Sequence, residues 1–346
     1  MDAKDSGRTG GGARQMGDGS FLHAFFAARR DLKAPKVAEV DPAPHDARID
    51  GKTCLITGAN SGLGKAAAVE LARRGGTMIL ACRPGHDGTR DEVARLSGSE
   101  AVEMLEVDLA DLASVHRLCD RLAERGTRVD IAVFNAGLMP RTAQKTPQGY
   151  ETMFAVHFLS SRVMLDRWLE DGVLRPASPG AEAPRVIFVS SEAHRSGHTI
   201  DFGRLGDFVD YDMGESMVRY GLTKLVQCTF AKELSRRLNP ADGVEVAVHA
   251  MCPGGVASNI ARDTPLLLKP LANAVLGHFF QSPEEAIGPV IYLCCADEPG
   301  QTTGMYLHLM QRKAVSPTAL DPENGARLWE ASEPLVAQSR ESRRGG

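Results

Sequence analysis

The chain lacks a surplus of positive charge. Its 44 acidic side chains against 40 basic ones leave a net charge of -4 over 346 residues, so no basic field exists to hold nucleic acid. It also lacks an apolar run approaching the ~18 residues that span a bilayer. No Cys-x-x-Cys pair occurs among its seven cysteines, and the count is odd. Several thiols, such as Cys54 in TCLIT and Cys82 in MILAC, lie inside apolar runs where they pack as small hydrophobes. That usage points to a reducing, cytoplasmic compartment. No carboxylate pair or His/Cys cluster is spaced for coordination, so no metal is expected. Residues 1–20 are Gly-rich and nearly free of large apolar side chains, unlike a secretory signal with its charge placed first. Collagen, disorder throughout, a membrane span and a DNA-binding domain are set aside on these grounds.

What the chain does have is core material, with 43% hydrophobic and 24% charged residues. An apolar patch, Phe21 to Ala28, is followed by Arg29-Arg30 and is too short to cross a membrane. It suits a short helix packed on the fold, a substrate lid or an interfacial anchor, which leaves peripheral membrane contact open. Pro42, Pro44 and Gly51 punctuate a linker, and regular patterning begins just after it. Strand-like runs fall at 53–57, 77–81, 102–107, 131–134, 186–189, 244–250 and 305–309. Segments of helical period lie between them, among them 65–74, 112–124 and 222–238. Strands apolar on both faces belong to a parallel sheet covered on each side. The pattern predicts an α/β fold: a single doubly wound, Rossmann-type domain with a seven-stranded parallel sheet flanked by helices. Residues 1–46 read as a flexible extension, 47–312 as the domain, and 313–346 as a tail with a short helix.

The first strand runs into Thr57-Gly58-Ala59-Asn60-Ser61-Gly62-Leu63-Gly64, then Lys65 and a helix. Glycines at such a turn let backbone approach a pyrophosphate, and the helix N-terminus supplies N–H groups and positive dipole. Further on stands Tyr220-Gly221-Leu222-Thr223-Lys224. Residues four apart share a helix face, so phenol and ammonium are adjacent, and a nearby cation favours phenolate.

The G-x-x-x-G-x-G spacing and the Tyr-x-x-x-Lys pair together resemble the short-chain dehydrogenase/reductase family. Three more segments extend the resemblance: Phe134-Asn135-Ala136-Gly137, Val189-Ser190-Ser191 and Cys252-Pro253-Gly254-Gly255-Val256. Within the family, Ala81-Cys82-Arg83, Ser190-Ser191-Glu192-Ala193-His194 and Ala326-Arg327-Leu328-Trp329-Glu330 resemble the retinol-dehydrogenase and protochlorophyllide-reductase-like branch. The resemblance implies that Ser191 and Tyr220 hold a substrate oxygen while Lys224 lowers the tyrosine pKa and grips the nicotinamide ribose. It implies cofactor contacts at Gly58, Asn60, Ser61, Gly62, Leu63, Gly64, Asp108, Leu109, Asn135, Ala136, Gly137, Pro253, Gly254 and Val256. His157 aligns where the family usually has a relay asparagine, with a pKa expected below 6.5 because Lys224 is near. The helices near 146–169 and 222–238 resemble those that pair across a homodimer axis.

An acidic residue ending the second strand would chelate the ribose hydroxyls of NAD. Here Cys82 and Arg83 stand instead, with Lys65 after the glycine loop, which favours NADP(H) over NAD(H). The apolar stretch 264–280 predicts a lid for a lipophilic small molecule. The expected activity is NADP(H)-dependent interconversion of a carbonyl and an alcohol. Two alternatives stay open: a protochlorophyllide-reductase-like double-bond reductase and a non-catalytic NADP-binding regulator. The former would need a cysteine at Val226, and the nearest one, Cys228, lies two residues further on.

Overall fold

The computed structural model describes residues 39–196, 198–256 and 281–344. The apolar patch at 21–28 and the expected lid at 264–280 lie outside the described residues, as does most of the extension 1–46.

Seven parallel strands run through the domain: β1 (Thr53–Thr57), β2 (Thr77–Cys82), β3 (Val102–Glu106), β4 (Ile131–Phe134), β5 (Arg185–Val189), β6 (Ala247–Cys252) and β7 (Tyr306–His308). Their order is 3-2-1-4-5-6-7, so the winding reverses between β1 and β4. A crevice opens beyond the carboxyl ends of the strands at such a reversal. The expected all-parallel sheet of seven gains an eighth member, β8 (Gln311–Arg312), which pairs antiparallel with β7. It arises because Leu309 takes a left-handed conformation (φ 55°) and turns the chain back on itself. Two residues are too few for any periodicity to announce.

Helices cover both faces. On one lie α1 (Gly62–Arg73) and α2 (Gly88–Ser97), with Ile56, Leu71 and Leu80 fully buried beneath. On the other lie α3 (Leu112–Glu124), α4 (Thr152–Phe154), α5 (Ser160–Glu170) and α6 (Met213–Arg237). Here Phe134 stacks on Phe188 at 5.2 Å between centroids, and Trp168 and Phe230 close the layer. Between α4 and α5 the chain makes a π turn over Ala155–Leu159. α6 begins nine residues before the helix expected from 222, because Asp212 caps it by accepting from Gly214 and Glu215 N–H.

The tail departs from expectation. In place of a short helix, α7 (Pro322–Arg344) runs for 23 residues and packs across α6, α3 and α5. Leu328 and Val336 are buried in the main core. Trp329 stacks on Phe230, with the guanidinium carbons of Arg162 and Arg237 at 4.0 and 4.4 Å from its ring centroid. Cations over an indole face are attracted by its quadrupole. The helices expected to pair across a dimer axis thus carry the chain's own α7.

Candidate active site

The glycine loop joins β1 to α1 and is stapled to β4. Thr57 Oγ1 accepts the backbone N–H groups of Asn135 and Ala136 at 3.0 and 3.1 Å. Asn135 Nδ2 returns bonds to the carbonyls of Thr57 and Gly58 at 2.9 and 3.3 Å. Asn135 therefore acts here as a brace beneath the loop. A Cβ on Gly64 would sit 2.4 Å from Asn135 Nδ2, so no other residue fits that approach. Ser61, the N-cap of α1, makes no side-chain cap bond, and no acidic residue lies in the first turn. Unsatisfied N–H groups and an unopposed positive dipole suit a phosphate. Asn60, Gly62 and Leu63 complete the turn, and Asn60 Nδ2 lies 3.4 Å from His86 Nε2.

The expected 2′-phosphate cations differ in their freedom. Lys65 Nζ donates to Glu92 Oε1 at 2.8 Å, whereas Arg83 is exposed at the end of β2. Asp108 is half-buried, and its Oδ1 accepts from Ala110 N–H at 2.9 Å, while Leu109 is buried. Ala136 and Gly137 follow β4, and Pro253, Gly254 and Val256 follow β6, so all five stand at the carboxyl ends of the strands.

Ser191, just after β5, lies close enough to Tyr220 on α6 to pull its phenol down. Ser190 instead points inward, its Oγ 3.1 Å from Cys228 Sγ. Ser191 caps a 3-10 turn, Glu192–Arg195, by accepting from Ala193 N–H at 3.2 Å. His194 anchors that turn: Nδ1–H donates to Ser191 O at 2.7 Å, and Nε2 accepts from Ser316 N–H at 3.1 Å. A Cβ on Gly221 would lie 2.9 Å from Ala193 O, so glycine beside Tyr220 lets α6 approach the serine turn this closely.

Lys224 lies on the same face of α6, its Nζ 5.7 Å from the Tyr220 ring centroid. The ammonium donates to Val189 O at 2.9 Å and to Gln227 Oε1 at 3.2 Å. Burial pulls it down to about 8. The expected lowering of the tyrosine is absent in this state. Burial pushes the phenol up to about 12, against a downward pull from Ser191. The ammonium is turned to neutral acceptors, so its field does not outweigh desolvation.

His157 lies in the π turn and is 1% exposed. Its edge meets Tyr220 at 5.5 Å between centroids. Nε2 accepts from Leu138 N–H at 3.1 Å, which places the ring proton on Nδ1, 2.9 Å from Thr223 Oγ1. Thr223 in turn donates to Tyr220 O at 2.9 Å. Burial and then the Lys224 charge hold the imidazole well below 6.5, the direction expected from sequence. The imidazole makes no direct bond to Lys224. Both ring nitrogens are engaged elsewhere, and the link runs from the His157 carbonyl, which accepts from Gln227 Nε2 at 3.1 Å. Sequence reading missed Gln227; its one signal is a carboxamide inside the apolar run Leu225-Val226-Gln227-Cys228.

The profile of the short chain dehydrogenase family matches residues 52–200. Human retinol dehydrogenase 14 is 33% identical over 337 residues, covering 90% of this chain and 94% of its own. Mouse retinol dehydrogenase 13 is 38% identical over 307 residues, covering 85% and 86%. A crystal structure of an uncharacterized protein from Mycobacterium paratuberculosis superimposes with a TM-score of 0.62 at 28% identity, over 88% of this chain and 98% of that one. The RhlG/NADP active-site complex of Pseudomonas aeruginosa has the same fold, with a TM-score of 0.59 at 22% identity, over 77% and 97%. With relatives at this identity aligned along most of its length, the chain belongs to the short-chain dehydrogenase family of oxidoreductases.

Proposed function

We propose that the protein is an NADP(H)-dependent oxidoreductase that interconverts a carbonyl and an alcohol on a lipophilic small molecule. One observation carries this reading most directly: α6 brings Tyr220 close against the Ser191 turn, where a Cβ on Gly221 would lie 2.9 Å from Ala193 O, with Lys224 on the same face of α6. The uncapped first turn of α1 and the close approach at Gly64 fit a dinucleotide pyrophosphate. Arg83 and Lys65, with no carboxylate ending β2, fit a 2′-phosphate.

A bound nicotinamide supplies or accepts the hydride. Tyr220 and Ser191 hold the substrate oxygen by hydrogen bonds, so its carbon presents one face to the cofactor side of the crevice. In the reductive direction Tyr220 Oη gives its proton to that oxygen as negative charge develops there. A phenol pushed up to about 12 keeps this proton at neutral pH, the form that reduction needs. Lys224, charged below about 8, supplies the positive charge that eases proton loss from Tyr220. The lipophilic substrate rests on the apolar composition of 264–280 and on the named activity of the retinol dehydrogenase relatives. The apolar patch at 21–28 supports a membrane-peripheral setting in the cytoplasm. Double-bond reduction draws no support: Val226 stands where the extra cysteine would be needed, and burial pushes the Cys228 thiol up to about 12.

The test is a steady-state comparison of NADPH with NADH on retinaldehyde and long-chain aldehydes, and of NADP+ with NAD+ on retinol. The reading predicts turnover, with a higher kcat/KM for the phosphorylated cofactor. Equal use of both cofactors would remove the NADP(H) assignment, and no turnover on any lipophilic carbonyl or alcohol would remove the activity.

A further inference from the structure

Gln227 hydrogen-bonds to no residue of the serine turn, yet its 1%-exposed carboxamide lies between two parts of the machinery. A buried carboxamide is costly unless both its ends are bonded, and here both are. Its orientation is fixed by chemistry: an ammonium only donates and a carbonyl only accepts. Oε1 must therefore face Lys224 Nζ, at 3.2 Å, and Nε2 must face His157 O, at 3.1 Å. The first contact is made within α6, and the second crosses to the π turn, 70 residues earlier in the chain.

We propose that Gln227 is a positioning residue for the reaction: its carboxamide ties Lys224 Nζ to the π-turn carbonyl and keeps the ammonium charged beside Tyr220. This rests on the reading of Tyr220 and Lys224 given above. The surroundings explain why one acceptor matters. Tyr220 and Cys228 face Lys224 from α6, Cys252 from β6, and His157 from the π turn. Burial pushes the two thiols up to about 12 and about 11 and leaves His157 neutral, so these neighbours offer no formal negative charge. The ammonium is held by neutral oxygens, those of Val189 and Gln227. Losing one of two such acceptors favours the neutral amine.

The test reads Lys224 itself. Full-length protein carrying 13C at the lysine ε-carbons is titrated by NMR, with the Lys224 signal identified by its loss in Lys224→Arg. Gln227→Met removes the acceptor at similar volume and should lower the Lys224 midpoint, from about 8, by about one pH unit. Gln227→Glu places a carboxylate there and should raise it. The alkaline limb of kcat should move with the lysine in each variant, down in one and up in the other. A merely structural role would lower the thermal midpoint and leave the lysine titration in place, and that result in folded Gln227→Met overturns the proposal. If Gln227→Met does not fold, an unshifted lysine in Gln227→Glu overturns it equally. Shifted lysine titrations in a protein without nicotinamide-linked turnover would uphold the tie and overturn the activity reading instead.

Discussion

His157 shows how a single buried side chain can serve structure on three sides. Its ring accepts from Leu138, donates to Thr223 and lies edge-on to Tyr220, while its carbonyl holds Gln227. His157→Leu keeps the carbonyl but strands the Leu138 N–H, at roughly 1–3 kcal/mol, while Thr223 keeps its bond to Tyr220 O. The expected outcome is a clear fall in unfolding free energy in urea, with at least a tenfold loss of turnover because the segment after Asn135 is no longer fixed. Wild-type stability and rate would show that the ring holds nothing. The position itself, and the sign of its shift, could be read from sequence through the helix register and the nearness of Lys224. Its partners could not, because Leu138 and Thr223 reach it only through tertiary contact. The same holds for Asn135, whose motif was visible but whose carboxamide braces Thr57 and Gly58.

At the scale of elements, the parallel strands and the long helices announced themselves by apolar runs and by the 3.6 period. Two elements did not. β8 has two residues and exists only because Leu309 turns the chain back. α7 is mostly polar, carries Pro334 in its interior, and is held by what it packs against rather than by its own pattern. Its buried anchor is Leu328, fully enclosed with Phe230 and Leu234 in the same core. Leu328→Ala should lower the unfolding free energy by about 2–5 kcal/mol through lost burial and the cavity left behind. The check is urea denaturation followed by far-UV circular dichroism. A change below the scatter of surface substitutions would mean that α7 is loosely docked. Its cap on α6 matters for the site, since Tyr220, Lys224 and Gln227 all ride on that helix.

Across the whole molecule, several buried histidines are kept neutral. Burial lowers His157 well below 6.5 and brings His194 and His249 down to about 4. An unfolded histidine takes up a proton near pH ~6.5. Between that value and the lower folded values the unfolded chain binds more protons, so stability is fully present above pH ~6.5 and is lost as pH falls. Unfolding free energy should vary only slightly from pH ~8 to ~7 and decline steadily between ~6.5 and ~4, by roughly 3 kcal/mol for each of His194 and His249. A flat profile down to pH ~5 would mean that these rings are protonated in the fold. The central claim, that Tyr220 exchanges the proton while the fold holds the cofactor, is tested most directly by Tyr220→Phe. NADPH binding is followed by fluorescence titration, and turnover by NADPH oxidation with a lipophilic aldehyde. The account predicts nearly unchanged NADPH affinity and a turnover reduced ~10²–10⁴-fold; turnover at the wild-type level would contradict it.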